Sequence, residues 1–284
     1  MLRPALFCTI IYMLNSFFLS LFFFAFLIIS ILAYRRFDPK LLSIGSAIRL
    51  SRRTLVFFFL ADILVAVGVG YLFIYHSNPV LLEYFYGVLY YLSAVIGCFL
   101  LIQQKSLKRR IIAALCLPIP FFALTILTRW QMLQNIVTAG SIIWVGIFLF
   151  KRFRIPQKCF IAGLIIATLI DAYNVWLAPA SSGLFSDVSL LFNGNIVFGS
   201  ASLGIGDFFL GYLIVAAFIY YRNVRQAIII AFIIAFARFI LRAIIPAFAG
   251  VAIPYYVIIV PLSLLALWLS RAKSPPAPDI QTSR

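Results

Sequence analysis

ASLGIGDFFLGYLIVAAFIYY, residues Ala201–Tyr221, is an apolar run broken by one acid, Asp207, and followed by Arg222 and Arg225. About 20 apolar residues in a helix cross the roughly 30 Å hydrocarbon core of a bilayer, so this stretch has the length of a membrane span with a basic flank at one end. The rest of the chain repeats the pattern. Its 284 residues are 65% hydrophobic and 11% charged, with a mean hydropathy of +1.12. A soluble domain is about half apolar and a quarter charged. The composition therefore excludes a water-soluble globule and predicts an all-α, polytopic membrane protein.

Nine runs have span length: Ile11–Tyr34, Thr54–His76, Tyr84–Gln104, Ile111–Thr128, Leu133–Phe150, Cys159–Leu177, Ala201–Tyr221, Ala227–Ile245 and Val251–Ser270. The first has apolar sequence reaching back to Ala5 and no small-residue cleavage site after it, which predicts a retained helix rather than a removable signal peptide. Between the sixth and seventh runs, Asn193-Gly194 separates Val188–Phe192 from Ile196–Phe198, and Asn-Gly between apolar runs is a hairpin signal. Three regions result: residues 1–158 with five helices, 159–270 with four helices and the candidate site, and a disordered, cytoplasmic tail at 271–284.

The net charge of +16 comes from 23 Lys/Arg against 7 Asp/Glu. Nineteen of the basic residues fall after the first, third, fifth, seventh and ninth runs, against Arg3 and Arg129 on the opposite side. By the positive-inside rule the N-terminus lies outside and the C-terminus in the cytoplasm. The expected location is the plasma (inner) membrane of a prokaryote. Because membrane insertion accounts for the charge, no nucleic-acid partner is expected. Cys8, Cys98, Cys116 and Cys159 form no CxxC and no ligand-like spacing with His76, and no serine-hydrolase, zinc-protease or P-loop motif occurs. No metal and no cofactor is expected.

Five ionisable residues remain within or at the edge of the spans: Asp62, Asp171, Asp207, Arg238 and Arg242. Each costs about 2.5–3.5 kcal/mol at a helix centre, so each must be paired, face a cavity or act. Stepping back by four from Asp171 gives Ala167 and Gly163, while Ser200, Gly204 and Gly211 share or adjoin the face of Asp207. Small residues on both faces predict close helix approach. The sixth and seventh runs cross in opposite directions, so both acids sit toward the outer half, where they could meet. Two carboxylates in a poorly hydrated site share one proton, so one can activate water while the other donates to a peptide carbonyl. The glycines before Asp207 would let the helix start late and leave backbone groups for an extended substrate strand. The alternative is structural pairing of the acids with Arg238 and Arg242. Those two lie i, i+4 on one face, where they would neutralise Asp62 or bind a phosphate or carboxylate.

Leu203-Gly204-Ile205-Gly206-Asp207-Phe208 resembles the GxGD motif of the intramembrane aspartyl proteases, the presenilin and signal peptide peptidase group. Asp171 with Val175 resembles the family's first aspartate, with Ile170 where the family has Tyr. Pro246-Ala247-Phe248 resembles its Pro-Ala-Leu motif, with Phe248 in place of Leu. The resemblance covers roughly residues 159–270. It implies a nine-helix, presenilin-like bundle in which Asp171 and Asp207 are catalytic, Gly204 and Gly206 flank the site, and Pro246, Ala247 and Phe248 help hold an unwound substrate. The implied partners are the lipid bilayer and, as substrates, transmembrane helices of other proteins or remnant signal peptides. The rival readings are a proton-coupled transporter using Asp62, Asp171, Asp207 and the two arginines, and a protease-like scaffold that binds helices without cutting them.

Overall fold

The computed structural model describes residues 2–36, 79–102, 106–153, 155–176, 195–199, 201–244 and 255–269. They form nine helices and one hairpin: α1 (Leu2–Arg36), α2 (Pro79–Leu101), α3 (Leu107–Cys116), α4 (Pro118–Thr128), α5 (Gln131–Arg152), α6 (Gln157–Trp176), β1 (Asn195–Phe198), β2 (Ala201–Gly204), α7 (Ile205–Tyr221), α8 (Val224–Ile244) and α9 (Tyr255–Leu269). Among the described residues, four stretches are long and apolar enough to cross a membrane: Ile10–Arg36, Glu83–Leu101, Leu107–Thr128 and Gln131–Lys151. Ile205–Tyr221, Val224–Ala237 and Tyr255–Leu269 are shorter apolar helices. The run Thr54–His76 lies outside the described residues, as do Asp62 and Asn193-Gly194.

Two sequence expectations are corrected, and a third is refined. Ile111–Thr128 falls within the span-length stretch Leu107–Thr128, which divides at Leu117 into α3 and α4. Pro118 and Pro120 lack the N–H groups that would continue the hydrogen-bond ladder. The helix also starts earlier, at Leu107, so Arg110 is not in a loop. Arg110 is buried, its Nε donates to the Phe99 carbonyl at 2.6 Å, and its guanidinium lies 4.3 Å from the Phe99 ring centre. A cation near the last carbonyls of α2 complements that helix end. Finally, the first four residues of Ala201–Tyr221 are strand. β1 and β2 pair antiparallel, with Asn195 opposite Gly204 and Phe198 opposite Ala201. The described hairpin turns at Gly199, whose φ of +55° suits a residue without a Cβ. A Cβ there would also run into the side chain of Asn15.

α7 is the centre of the bundle. α1, α5, α8 and α9 all pack against it, and β2 leads into it. Phe208, Leu210, Gly211, Tyr212 and Ile214 through Phe218 are buried, as expected for a helix that is apolar on every side. Lipid is as apolar as leucine, so such helices associate through close packing and interhelical hydrogen bonds rather than through expulsion of water. Both are present here. A Cβ on Gly146 of α5 would lie 2.9 Å from the Tyr212 backbone oxygen, so the two backbones touch. Beside that contact the Tyr212 hydroxyl donates to the Ala139 carbonyl at 3.2 Å.

Gly163, expected to admit a neighbouring backbone, has nothing among the described residues within 4 Å of the point where a Cβ would stand. Gly211 meets the ring of Phe23 in α1. The close approach that matters is therefore at Gly146. Gly146→Ala should destabilise the protein by about 1–3 kcal/mol. Gly163→Ala should be neutral or stabilise by up to about 1 kcal/mol. Thermal unfolding in detergent micelles separates the two.

Candidate active site

β2 ends at Gly204, which is the N-cap of α7 with extended backbone. Asp207 therefore stands in the first turn, where unpaired helical amides and the helix dipole favour a carboxylate. A Cβ on Gly204 would lie 3.5 Å from Asp207 Oδ2 and 3.9 Å from Asn195 Oδ1, so the carboxylate folds back over the glycine toward the hairpin. Asp207 is half-buried and Gly206 exposed, whereas the helix is largely buried from Phe208 onward. The acid is thus at the accessible end of the central helix.

The hairpin that delivers it is held from α5. The Asn135 side chain donates from Nδ2 to the Val197 carbonyl at 2.7 Å and accepts from the Val197 N–H at 3.1 Å. One side chain so satisfies both backbone groups on the outer edge of β1, which would otherwise be an orphaned sheet edge in an apolar bundle.

Asp171 lies in α6, half-buried. Its neighbours Leu169, Ile170 and Tyr173 are exposed, so the helix turns an apolar face outward. Among the described residues α6 packs chiefly on α9, and the link between the two acids runs through the first turn of that last helix. The Tyr256 backbone N–H donates to Asp171 Oδ2 at 3.0 Å. Its hydroxyl donates to the Gly206 carbonyl at 2.7 Å. The same phenol is within electrostatic reach of both Asp207 and Asp171. Next to it, the Tyr255 hydroxyl donates to the Ile234 carbonyl of α8.

Asp171 and Gly206 are thus both bonded by one residue, Tyr256, that sequence reasoning did not single out. Its only signal was a tyrosine pair directly after Pro254, a residue type favoured at the start of a helix. Ile170, next to Asp171, is exposed. Pro246, Ala247 and Phe248 lie outside the described residues. Arg238 and Arg242 belong to α8, with side chains outside the described residues. No three His, Cys, Asp or Glu side chains converge among the described residues. Comparison with protein-family models, curated proteins and solved structures finds no match to this chain.

Asn135→Ala would leave both Val197 backbone groups unsatisfied, at about 1–3 kcal/mol for each buried group. Hydrogen exchange at residues 195–204 should accelerate in that variant while exchange in the buried part of α7 stays slow.

Proposed function

We propose that this protein is a nine-span intramembrane aspartyl protease of the GxGD type, with its N-terminus outside and its C-terminus in the cytoplasm. The observation that carries this reading is the junction at Tyr256. One residue bonds Asp171 through its backbone and Gly206, the neighbour of Asp207, through its side chain. Two acids on different helices gain a common reference point at the accessible end of α7.

In this mechanism the dyad holds a single shared proton, because two carboxylates in a poorly hydrated site do not both ionise. The ionised member removes a proton from water as the oxygen attacks the substrate's peptide carbonyl. The protonated member donates to the carbonyl oxygen, giving a neutral gem-diol. Proton transfer to the amide nitrogen then releases the amine and carboxylic acid, and the dyad is restored. The substrate is a transmembrane helix of another membrane protein or a remnant signal peptide. It must unwind locally, since an intact helix keeps its backbone groups bonded in lipid. Gly204 and Gly206 leave room for that backbone beside Asp207, and Pro246-Ala247-Phe248 helps hold the unwound strand.

The test is cleavage of a panel of single-span helices and signal-peptide remnants by the purified protein in liposomes. Asp171→Asn and Asp207→Asn should each abolish product while leaving expression and unfolding temperature nearly unchanged. Peptide products that persist in both variants would refute the dyad. Proton-coupled solute flux without peptide products would assign the same acids to a transporter. Tyr256→Phe keeps the backbone bond to Asp171 and loses the bond to Gly206. It should lower kcat by about 10-fold or more, with a smaller change in KM, because a misplaced reacting group costs rate rather than binding.

A further inference from the structure

The N-terminal half of α5 is unusually polar for a buried helix. Gln134, Asn135, Thr138 and Ser141 are 3%, 1%, 1% and 2% exposed, and their spacing puts them along one side of the helix. Most of this polarity is accounted for. Asn135 holds Val197. The Ser141 hydroxyl donates to the Thr138 carbonyl at 2.8 Å, the Ser93 hydroxyl to the Ser141 carbonyl at 2.7 Å, and Trp144 Nε1 to Ser93 at 3.1 Å.

The Thr138 hydroxyl is the exception: it is buried and has no hydrogen-bond partner among the described residues. Helical threonines normally settle this by donating to the carbonyl four residues back. Thr125, Thr128 and Thr168 do so, to Phe121, Leu124 and Leu164. Thr138 does not, although Gln134 lies one turn back. Leaving a hydroxyl unsatisfied in an apolar interior costs about 1–3 kcal/mol, and buried polar groups of this kind are usually met by ordered water.

Position gives the water a use. Gly146 of α5 is level with Tyr212 of α7. Counting back at 1.5 Å per residue puts Asp207 about 7.5 Å and Thr138 about 12 Å above that contact. Thr138 is therefore about one helical turn above Asp207, toward the end where α5 and α7 both begin.

We propose that the polar face of α5 is a hydration path running from that end of the bundle to the level of Asp207, with one water bound at the Thr138 hydroxyl. Use of this water in hydrolysis rests on the protease reading; the hydration does not. The test uses the full-length protein in liposomes, with Cys8, Cys98, Cys116 and Cys159 replaced by serine. Thr138→Cys should react with a small, charged methanethiosulfonate at least 10-fold faster than Ala139→Cys, its fully buried neighbour on the same helix. Gln134→Cys, one turn nearer the surface, should react at least as fast as Thr138→Cys and serves if Thr138→Cys does not fold. Rates as low as that of Ala139→Cys would overturn the proposal. Repeating the labelling in Asp207→Asn separates the two ideas, since the path should label equally in a chain that cuts nothing.

Discussion

The first turn of the last helix holds the site together. Tyr255 and Tyr256 reach α8, α6 and α7 through three hydrogen bonds, using two hydroxyls and one amide that helix geometry leaves unsatisfied. In water such bonds would be modest. In lipid there is no apolar burial to hold helices side by side, so direct bonds between named atoms, together with close packing, set which helices stay adjacent. Asp171 has two consequences in this arrangement. Its carboxylate caps α9, and the cap brings the helix that carries Tyr256 against the start of α7.

The capping role does not compete with the proposed one. A capping carboxylate is fixed in position by the amide it accepts from, and fixed position is what a general acid or base requires. The hairpin contributes in the same way from the other side. Asn135 closes the outer edge of β1, the register then places Gly204 opposite Asn195, and α7 can start only where β2 stops. The position of Asp207 is thus determined by strand pairing as much as by its own helix.

Most helices were legible because continuous apolar runs ended by basic clusters have few other interpretations. The start of α7 was not. Ala201–Gly204 is small and apolar, and a short apolar segment reads equally as strand or helix; Gly199, with its positive φ, and the Asn135 clamp decide for strand. Asp171 and Asp207 stood out as candidates because acids are rare in this chain, with only 7 among 284 residues. Tyr256 was hidden among 14 tyrosines, a residue type at home in any membrane interface. Its role depends on a backbone N–H, which every residue but proline has. Small residues were harder to rank for a related reason: Gly146 and Gly163 look alike in sequence, and only Gly146 meets a backbone among the described residues.

The packing of α1 against α7 and α8 has a consequence for how the chain is made. Residues 37–204 separate the end of α1 from the start of α7, and at 5–20 residues per second their synthesis lasts roughly 10–30 s. During that interval α1 lacks α7 and α8, although α5, which also packs on it, is made part-way through, and the Phe23 ring is without the Gly211 backbone it finally meets. Ser20 and Ser30, buried once the bundle is complete, are then without their final surroundings. Ser30 manages this alone, because its hydroxyl donates to the Leu27 carbonyl of its own helix at 2.8 Å. That hydroxyl therefore needs no partner from the segments made later.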